Sequence, residues 1–137
     1  MNIQKITVKL KSLYPGRKVI VTDPLSPTEV ICEVEPTAEH PKWSAAVAVI
    51  DSTRRHYHKK LTETYHVIEG SLNIYLNGRL RRLHHGNVIK VLPKTIHWST
   101  GKETWVYVYS QPGWTPADHI LIINEDEISR NRYDKKP

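Results

Sequence analysis

The chain has 137 residues, of which 39% are hydrophobic and 25% are charged, so it is long enough for one domain with a real core. No run approaches the roughly 18 apolar residues of a membrane span, and the amino terminus lacks the features of a secretory signal, so we expect a cytoplasmic protein. The formal charge of +6 comes from scattered basic residues, which favours a solvated surface or an anionic small ligand and argues against a nucleic-acid partner.

Short β-type runs dominate the chain. The amino-terminal "ITVKLKSL" alternates polar and apolar residues and predicts a strand that adds to its own or a neighbour's sheet edge. Ten further runs predict an antiparallel sandwich or jelly-roll barrel with less than about a tenth helix. In order they are "KVIVT", "EVICEVE", "AAVAVID", "RRHYH", "TYHVIEG", "SLNIYLNG", "RLRRLH", "NVIKVLP", "TWVYVYS" and "HILIIN".

Three local features refine this prediction. The single cysteine, Cys32, cannot form an internal disulfide and is expected to be a buried structural thiol. Asn77-Gly78 predicts a two-residue hairpin turn. Trp105, Tyr107 and Tyr109 alternate with valines, and an aromatic row on the outside of a small barrel favours a twofold dimer.

The stretch "HYHKKLTETYHVIEG" raises the question of a metal site. Residues alternate across a strand, so His56 and His58 share one face, and Glu63 follows after a short turn. His97, after a Pro turn, is the best candidate for a fourth ligand. The alternative is a polar strand edge that happens to carry two imidazoles.

These residues resemble the motifs of the cupins. His56, His58, Glu63 and Gly70 match the first cupin motif, and Gly86 and His97 match the second. The resemblance implies a single cupin domain over 1–137, with a barrel core at about 17–124 and a charged tail at 125–137. It also implies that the three histidines and Glu63 bind one divalent metal ion (Fe, Mn, Ni, Co or Zn). A barrel whose polar centre is empty or only hydrogen-bonded is the alternative.

Four positions depart from the cupin pattern. Ile50 stands at the usual first Gly, Leu92 and Lys94 at the usual Pro and Gly of the second motif, and Gly101 at its Asn. These are turn and framing positions, so the departures concern loop shape more than the metal ligands.

Two side chains near the motif are candidate catalytic or substrate-binding residues. Arg54 falls on the predicted face of His56 and His58, where it can meet an anionic substrate or pair with Asp51 or Glu63. Tyr65 shares the face of Glu63 and can hydrogen-bond a ligand or pack in the core. Away from the motif, we expect surface or turn positions for His66, His84 and His85, and for His119 a place in a chain-closing turn with Trp114 and Pro116.

The function expected from the sequence is that of a metal-dependent enzyme acting on a small polar or anionic metabolite. The resemblance to cupins allows an oxygenase or a sugar-phosphate-type isomerase. The alternative is a non-catalytic module that binds or senses a sugar or other small ligand through the metal.

Overall fold

The computed structural model describes residues 1–122, so the predicted charged tail, 125–137, lies outside the described residues. One helix, ten strands and one short 3-10 helix make up this part of the chain. They are α1 (Ile3–Leu13), β1 (Val19–Thr22), β2 (Glu29–Glu35), β3 (Ser44–Ser52), β4 (His56–Tyr57), β5 (Thr62–Glu69), β6 (Ser71–Leu76), β7 (Arg79–His84), β8 (Val88–Val91), β9 (His97–Gln111), the 3-10 helix (Pro116–Asp118) and β10 (Ile120–Leu121).

The strands form one antiparallel sheet that curls into a barrel around β9. This 15-residue strand pairs with β3 and β4 along one side and with β5 and β6 along the other. Hydrogen-bonded neighbours follow the order β1-β2-β3-β9-β4-β10 along one path of the sheet. Off this path, β8 pairs with β5, and β7 pairs with β6. The all-β, antiparallel jelly-roll prediction is therefore confirmed.

Two hydrophobic cores lie on opposite faces of the sheet. The inner one, which we call the barrel core, contains Ala48, Ile50, Tyr65, Val67, Leu72, Ile74, Leu83, Val91 and Val106. The outer one, which we call the helix-side core, contains Ile6, Leu10, Val30, Cys32, Val47 and Val49. Cys32 is fully buried there, as expected of a structural thiol.

The amino-terminal strand prediction is wrong, because residues 3–13 form α1. The Asn2 side chain accepts a hydrogen bond from the Lys5 backbone N–H and so caps the helix. Ile6 and Leu10, four residues apart, are buried against the outer face of the sheet, whereas Val8 is 64% exposed. The burial of Ile6 and Leu10 at helical spacing therefore decides the structure of this segment, despite its alternation of polar and apolar residues. Helix accounts for 11% of the described residues, close to the expected limit of about a tenth.

The aromatic row of β9 has partners within the same chain. Trp105 and Tyr107 pack against the helix-side core, and Lys9 of α1 lies over the Trp105 ring at 4.7 Å. Tyr109 stacks on Trp43, with ring centroids 5.8 Å apart. The row and the amino-terminal strand were among the reasons to expect a dimer. The row has contacts within the chain and residues 3–13 form a helix, so self-association stays a prediction.

The turns explain the predicted hairpin and two of the departures from the cupin pattern. Asn77 and Gly78 both have positive φ (49° and 83°), as a type I′ hairpin turn requires, which confirms that turn. Lys94 has φ 67°, so it keeps the left-handed conformation that favours Gly at this position. A Cβ on Gly101 would lie 2.4 Å from the Thr104 hydroxyl oxygen, so a side chain such as Asn does not fit there.

The predicted strand "RRHYH" is much shorter in the structure. β3 ends at Ser52, and β4 contains only His56 and Tyr57. Residues 53–55 lie between the two strands, so the expected alternation from Ser52 to His58 is interrupted. Among the described residues, no helix is both long and apolar enough to cross a membrane.

Candidate metal centre

His56, His58, Glu63 and His97 come together in one place, and we call them the histidine–glutamate cluster. His56 lies on β4 and is paired in register with His97 at the start of β9, while Glu63 lies on β5. Their ligand atoms all lie within 4.8 Å of one another. The four residues are only 1–6% exposed. The structure therefore brings together all four ligands predicted from the sequence.

The backbone fixes the protonation pattern of the three histidine rings. Each ring places Nδ1 within hydrogen-bond distance of a backbone carbonyl. A carbonyl can only accept, so Nδ1 carries the proton and Nε2 of each neutral ring is left with a lone pair. The three hydrogen bonds join His56 to Arg54 (2.7 Å), His58 to Asp118 (2.6 Å) and His97 to Thr95 (2.9 Å).

This pattern directs lone pairs towards a carboxylate. Nε2 of His58 and Nε2 of His97 each lie 3.1 Å from the same oxygen, Oε1 of Glu63. Two neutral imidazole lone pairs facing an anionic oxygen repel it unless a proton or a metal cation lies between them. Buried polar groups need such a partner. The donor set therefore fits a divalent metal ion, with Nδ1 of each ring held by the main chain as in many histidine metal sites.

Without a metal, the cluster favours an ion pair between the Glu63 carboxylate and a protonated His58. Burial alone would raise the pKa of Glu63, but hydrogen bonds from His58 and His97 outweigh it and hold that pKa well below its ordinary value. Burial would lower the pKa of His58, yet the bond to Glu63 raises it. Burial, reinforced by the nearby His97, lowers the pKa of His56 to about 3, so this ring stays neutral.

Asp118 holds the turn that carries His58. Its carboxylate accepts hydrogen bonds from the backbone N–H groups of Lys59, Lys60 and Leu61, at 2.8–3.2 Å. Burial would raise the pKa of Asp118, but these backbone bonds lower it. The backbone carbonyl of the same residue accepts from His58 Nδ1. Asp118 thus positions a ligand, a role that sequence alone did not indicate because the two residues are 60 positions apart.

Arg54 is not part of the cluster. Its side chain is 66% exposed, and its Nη2 lies 3.1 Å from Oδ1 of Asp23. The expectation that it shares the face of His56 and His58 fails because β3 and β4 are separate strands. Asp23, which is distant in sequence, takes the place of the expected partners Asp51 and Glu63.

Tyr65 joins the cluster to the barrel core. Its ring is 6% exposed, and its hydroxyl donates to Glu63 Oε1 over 3.4 Å. Burial and the charge of Glu63 raise the pKa of Tyr65 well above its ordinary value, so it remains a protonated donor. Of the two roles expected for Tyr65, the described contacts show core packing with a satisfied hydroxyl.

His119 lies against the cluster, contrary to the expectation of a turn residue without chemistry. Its ring stacks on His56, with centroids 4.3 Å apart and 20° between the planes, and lies 5.4 Å from His58. Burial and the nearby His58 lower its pKa. The pairing of β10 with β4 brings it there, and the only sequence signal was the apolar run that follows it. His66, His84 and His85 are exposed, as expected.

Glu29 is a second carboxylate on the inner face of the sheet. Val30 and Cys32 of β2 point into the helix-side core, whereas Ile31 packs on the barrel core, so Glu29 shares the inner face with Ile31. Burial, with a contribution from the charge of Glu63, raises the pKa of Glu29 to about 7. Sequence gave no sign of this residue because an acidic position in an alternating strand normally faces water.

Comparisons with known proteins find solved structures of similar architecture. No family model and no curated protein matches the sequence. Among solved structures, Pac13 from Streptomyces, a nucleoside dehydratase, matches with a TM-score of 0.69 and 16% identity over 83% of this chain and 92% of that one. The polyketide cyclase RemF from Streptomyces resistomycificus matches with a TM-score of 0.63 and 20% identity over 90% and 91%.

A third solved structure is described by its fold. A cupin-like protein from Thermotoga maritima superposes with a TM-score of 0.56 and 15% identity over 74% of this chain and 83% of that one. This chain has the cupin fold. The fold predicted from the motif residues is confirmed, and within this fold the buried histidine–glutamate cluster could hold a metal ion.

Proposed function

We propose that this cupin is a metal-dependent enzyme that acts on a small polar or anionic metabolite. The observation that carries the proposal is the arrangement of three imidazole rings around the Glu63 carboxylate. Each ring has Nδ1 bonded to a backbone carbonyl, and Nε2 of His58 and Nε2 of His97 face the carboxylate. Such an arrangement provides the ligands of one divalent ion. Three imidazoles and a carboxylate suit Fe, Mn, Ni, Co or Zn.

A metal ion bound at the cluster would act as a Lewis acid that holds and polarises a substrate oxygen. The protein itself would supply orientation and proton donors. Tyr65 donates to Glu63 and keeps that carboxylate in place. Asp118 fixes the turn after His58.

Of the two expected reaction classes, isomerase-type proton transfer has more support than oxygenation. Glu29 faces the barrel interior with a pKa of about 7, which suits a group that both gives and takes a proton near neutral pH. Two solved neighbours are named for a dehydration and a cyclisation. At under 25% identity this is an analogy of fold only.

A non-catalytic binding or sensing module is the second candidate. The observation that favours it is the enclosure of the cluster, since its four residues are 1–6% exposed. A ligand held in so closed a site dissociates slowly unless part of the chain moves. Turnover experiments separate the two candidates.

Substitution of the ligands tests the metal site. We expect purified His58→Ala and His97→Ala proteins to fold but retain little metal after dialysis, because loss even of groups that only orient a ligand typically weakens binding about ten- to hundredfold. His66→Ala and His85→Ala, which change exposed imidazoles, are the matched controls and should keep the metal content of the unchanged protein. Elemental analysis provides the measurement. A full equivalent of metal in His58→Ala would refute the assignment.

Two assays of the metal-loaded protein distinguish the reaction classes. Incubation with sugar phosphates and nucleosides in D₂O, followed by NMR, detects proton exchange at carbon. Oxygen uptake by the Fe(II)-loaded protein with the same compounds detects an oxygenase. Deuterium incorporation without oxygen uptake supports the proposal, whereas tight binding with neither signal supports the binding module.

A further inference from the structure

A fourth imidazole lies beside the histidine–glutamate cluster without belonging to it. The ring of His119 stacks on that of His56 at 4.3 Å and approaches that of His58 at 5.4 Å. Its nitrogens are not among the ligand atoms that lie within 4.8 Å of one another. His119 therefore adjoins the candidate metal centre as a neighbour rather than as a fifth ligand.

The proton of His119 is placed by Trp114. The indole Nε1–H of Trp114 lies 3.3 Å from Nδ1 of His119 and can only donate. Nδ1 of His119 must therefore be the acceptor, and the proton of the neutral ring sits on Nε2. The tautomer is the reverse of that of the three ligand histidines, which carry their proton on Nδ1. His119 presents a donor where the ligands present lone pairs.

This donor is available to a bound molecule. Within residues 1–122, no hydrogen bond joins Nε2 of His119 to another group, and the side chain is half-buried. The expected cationic anchor, Arg54, lies at the surface with Asp23. The neutral N–H of His119 is thus suited to donate a hydrogen bond to an oxygen of a small ligand near the cluster. Contacts with Trp114 and His56 hold its ring in place.

We propose that His119 donates a hydrogen bond from Nε2 to an anionic oxygen of the ligand bound at the cluster. The inference rests on the proposed metal site and names its ligand class: small carboxylates or other oxyanions that offer one oxygen to the metal and one to His119. Trp114 is a positioning residue, because it fixes which nitrogen of His119 carries the proton.

Oxalate binding to the Co(II)-loaded protein tests the assignment. The visible absorption of cobalt reports oxalate titration independently of any enzymatic activity. We expect His119→Ala to bind a full equivalent of cobalt but oxalate about tenfold or more weakly, as expected for loss of a hydrogen bond to a charged group. His119→Gln, whose amide nitrogen can replace Nε2, should recover most of the affinity. His66→Ala, at an exposed position, should match the unchanged protein.

The tautomer provides a second readout. In the Zn(II)-loaded protein, long-range ¹H–¹⁵N spectra should show Nδ1 of His119 unprotonated and Nε2 protonated. Trp114→Phe should remove this preference and weaken oxalate binding to Co(II)-loaded protein. A protonated Nδ1 in the unchanged protein would overturn the inference.

The possible failures are distinguishable. If the unchanged protein binds no cobalt, the metal site and the inference both fall. If it binds cobalt and the His119→Ala variant binds oxalate as tightly as the unchanged protein, only the role of His119 is refuted. If cobalt binds but oxalate does not, the oxyanion class is refuted while the metal site stands.

Discussion

Glu29 lies in an environment that favours its protonated form in the folded protein. Its ordinary pKa is 4.5, and burial together with Glu63 raises it to about 7. Below about pH 4.5 the carboxyl group is protonated in both the folded and the unfolded state, so its raised pKa does not lower the free energy of unfolding. As pH rises towards 7, the unfolded chain releases its proton first, so the folded state loses stability, and above 7 the loss is complete.

We therefore expect Glu29→Gln to stabilise the metal-free protein above pH 7, by about 1–3 kcal/mol, with little effect near pH 4.5. Urea denaturation of both proteins at pH 5 and pH 8 measures the difference. Glu69→Gln, at an exposed position, should change stability by less than about 0.5 kcal/mol at either pH. Equal stabilities of Glu29→Gln and the unchanged protein at pH 8 would contradict the assigned environment of Glu29.

At the residue scale, the sequence identified the candidate ligands but not their surroundings. His56, His58, Glu63 and His97 are spaced as in the cupin motifs, so resemblance found them. The positions of Asp118 and His119 depend on β10 pairing with β4, about 60 residues earlier in the chain. No local pattern encodes that pairing, because β10 and β4 each contain two residues.

At the element scale, α1 shows how packing overrides a local pattern. The same residues alternate as a strand and repeat as a helix, and the apolar outer face of β2 and β3 decides between them. The ten other strands could be predicted because turn residues separate their runs from one another in the sequence. Their order in the sheet was not predictable, since β9 pairs with four strands that lie before it in the chain.

The helix supplies a paired test of this packing. Leu10 is fully buried in the helix-side core, while Val8 on the same helix is 64% exposed. We expect Leu10→Ala to destabilise the protein by about 2–5 kcal/mol, because it leaves a cavity. Val8→Ala should be neutral or slightly stabilising, since Ala favours helix more than Val does. Thermal unfolding followed by circular dichroism measures both. Similar losses in the two variants would show that α1 does not pack as described.

At the scale of the whole molecule, metal binding and folding should be linked. The four candidate ligands come from three strands and an intervening turn, so the unfolded chain has no assembled site. At a free metal concentration of about 100 times Kd, the metal should stabilise the fold by about 2.7 kcal/mol and raise Tm by roughly 8 °C. Calorimetry with and without metal at neutral pH tests this.

The same linkage predicts a dependence on acidity. His58 must lose its proton to bind a metal, and its raised pKa means that protons compete for Nε2 as pH falls. The metal-induced rise in Tm should therefore shrink between about pH 7 and pH 5. A rise of equal size at both pH values would indicate that the metal binds elsewhere.

Some predictions for the whole molecule stay open. The single-domain assignment, the cytoplasmic location, the absence of a nucleic-acid partner and the twofold dimer were all inferred from the sequence. Sedimentation at micromolar concentration would decide the oligomeric state, with 15.9 kDa as the monomer mass.

The two sides of the cluster differ in how firmly the sheet holds them. His97 begins the strand that pairs with four others, whereas His56 lies on β4, which pairs through two residues with β10 and through one with β9. Within residues 1–122, opening β10 would break its two-residue pairing with β4, and releasing Asp118 as well would break its hydrogen bonds to the turn after His58, while β9 stayed intact. We therefore expect metal and ligand to exchange with solvent through local opening on the β4–β10 side of the cluster rather than through global unfolding.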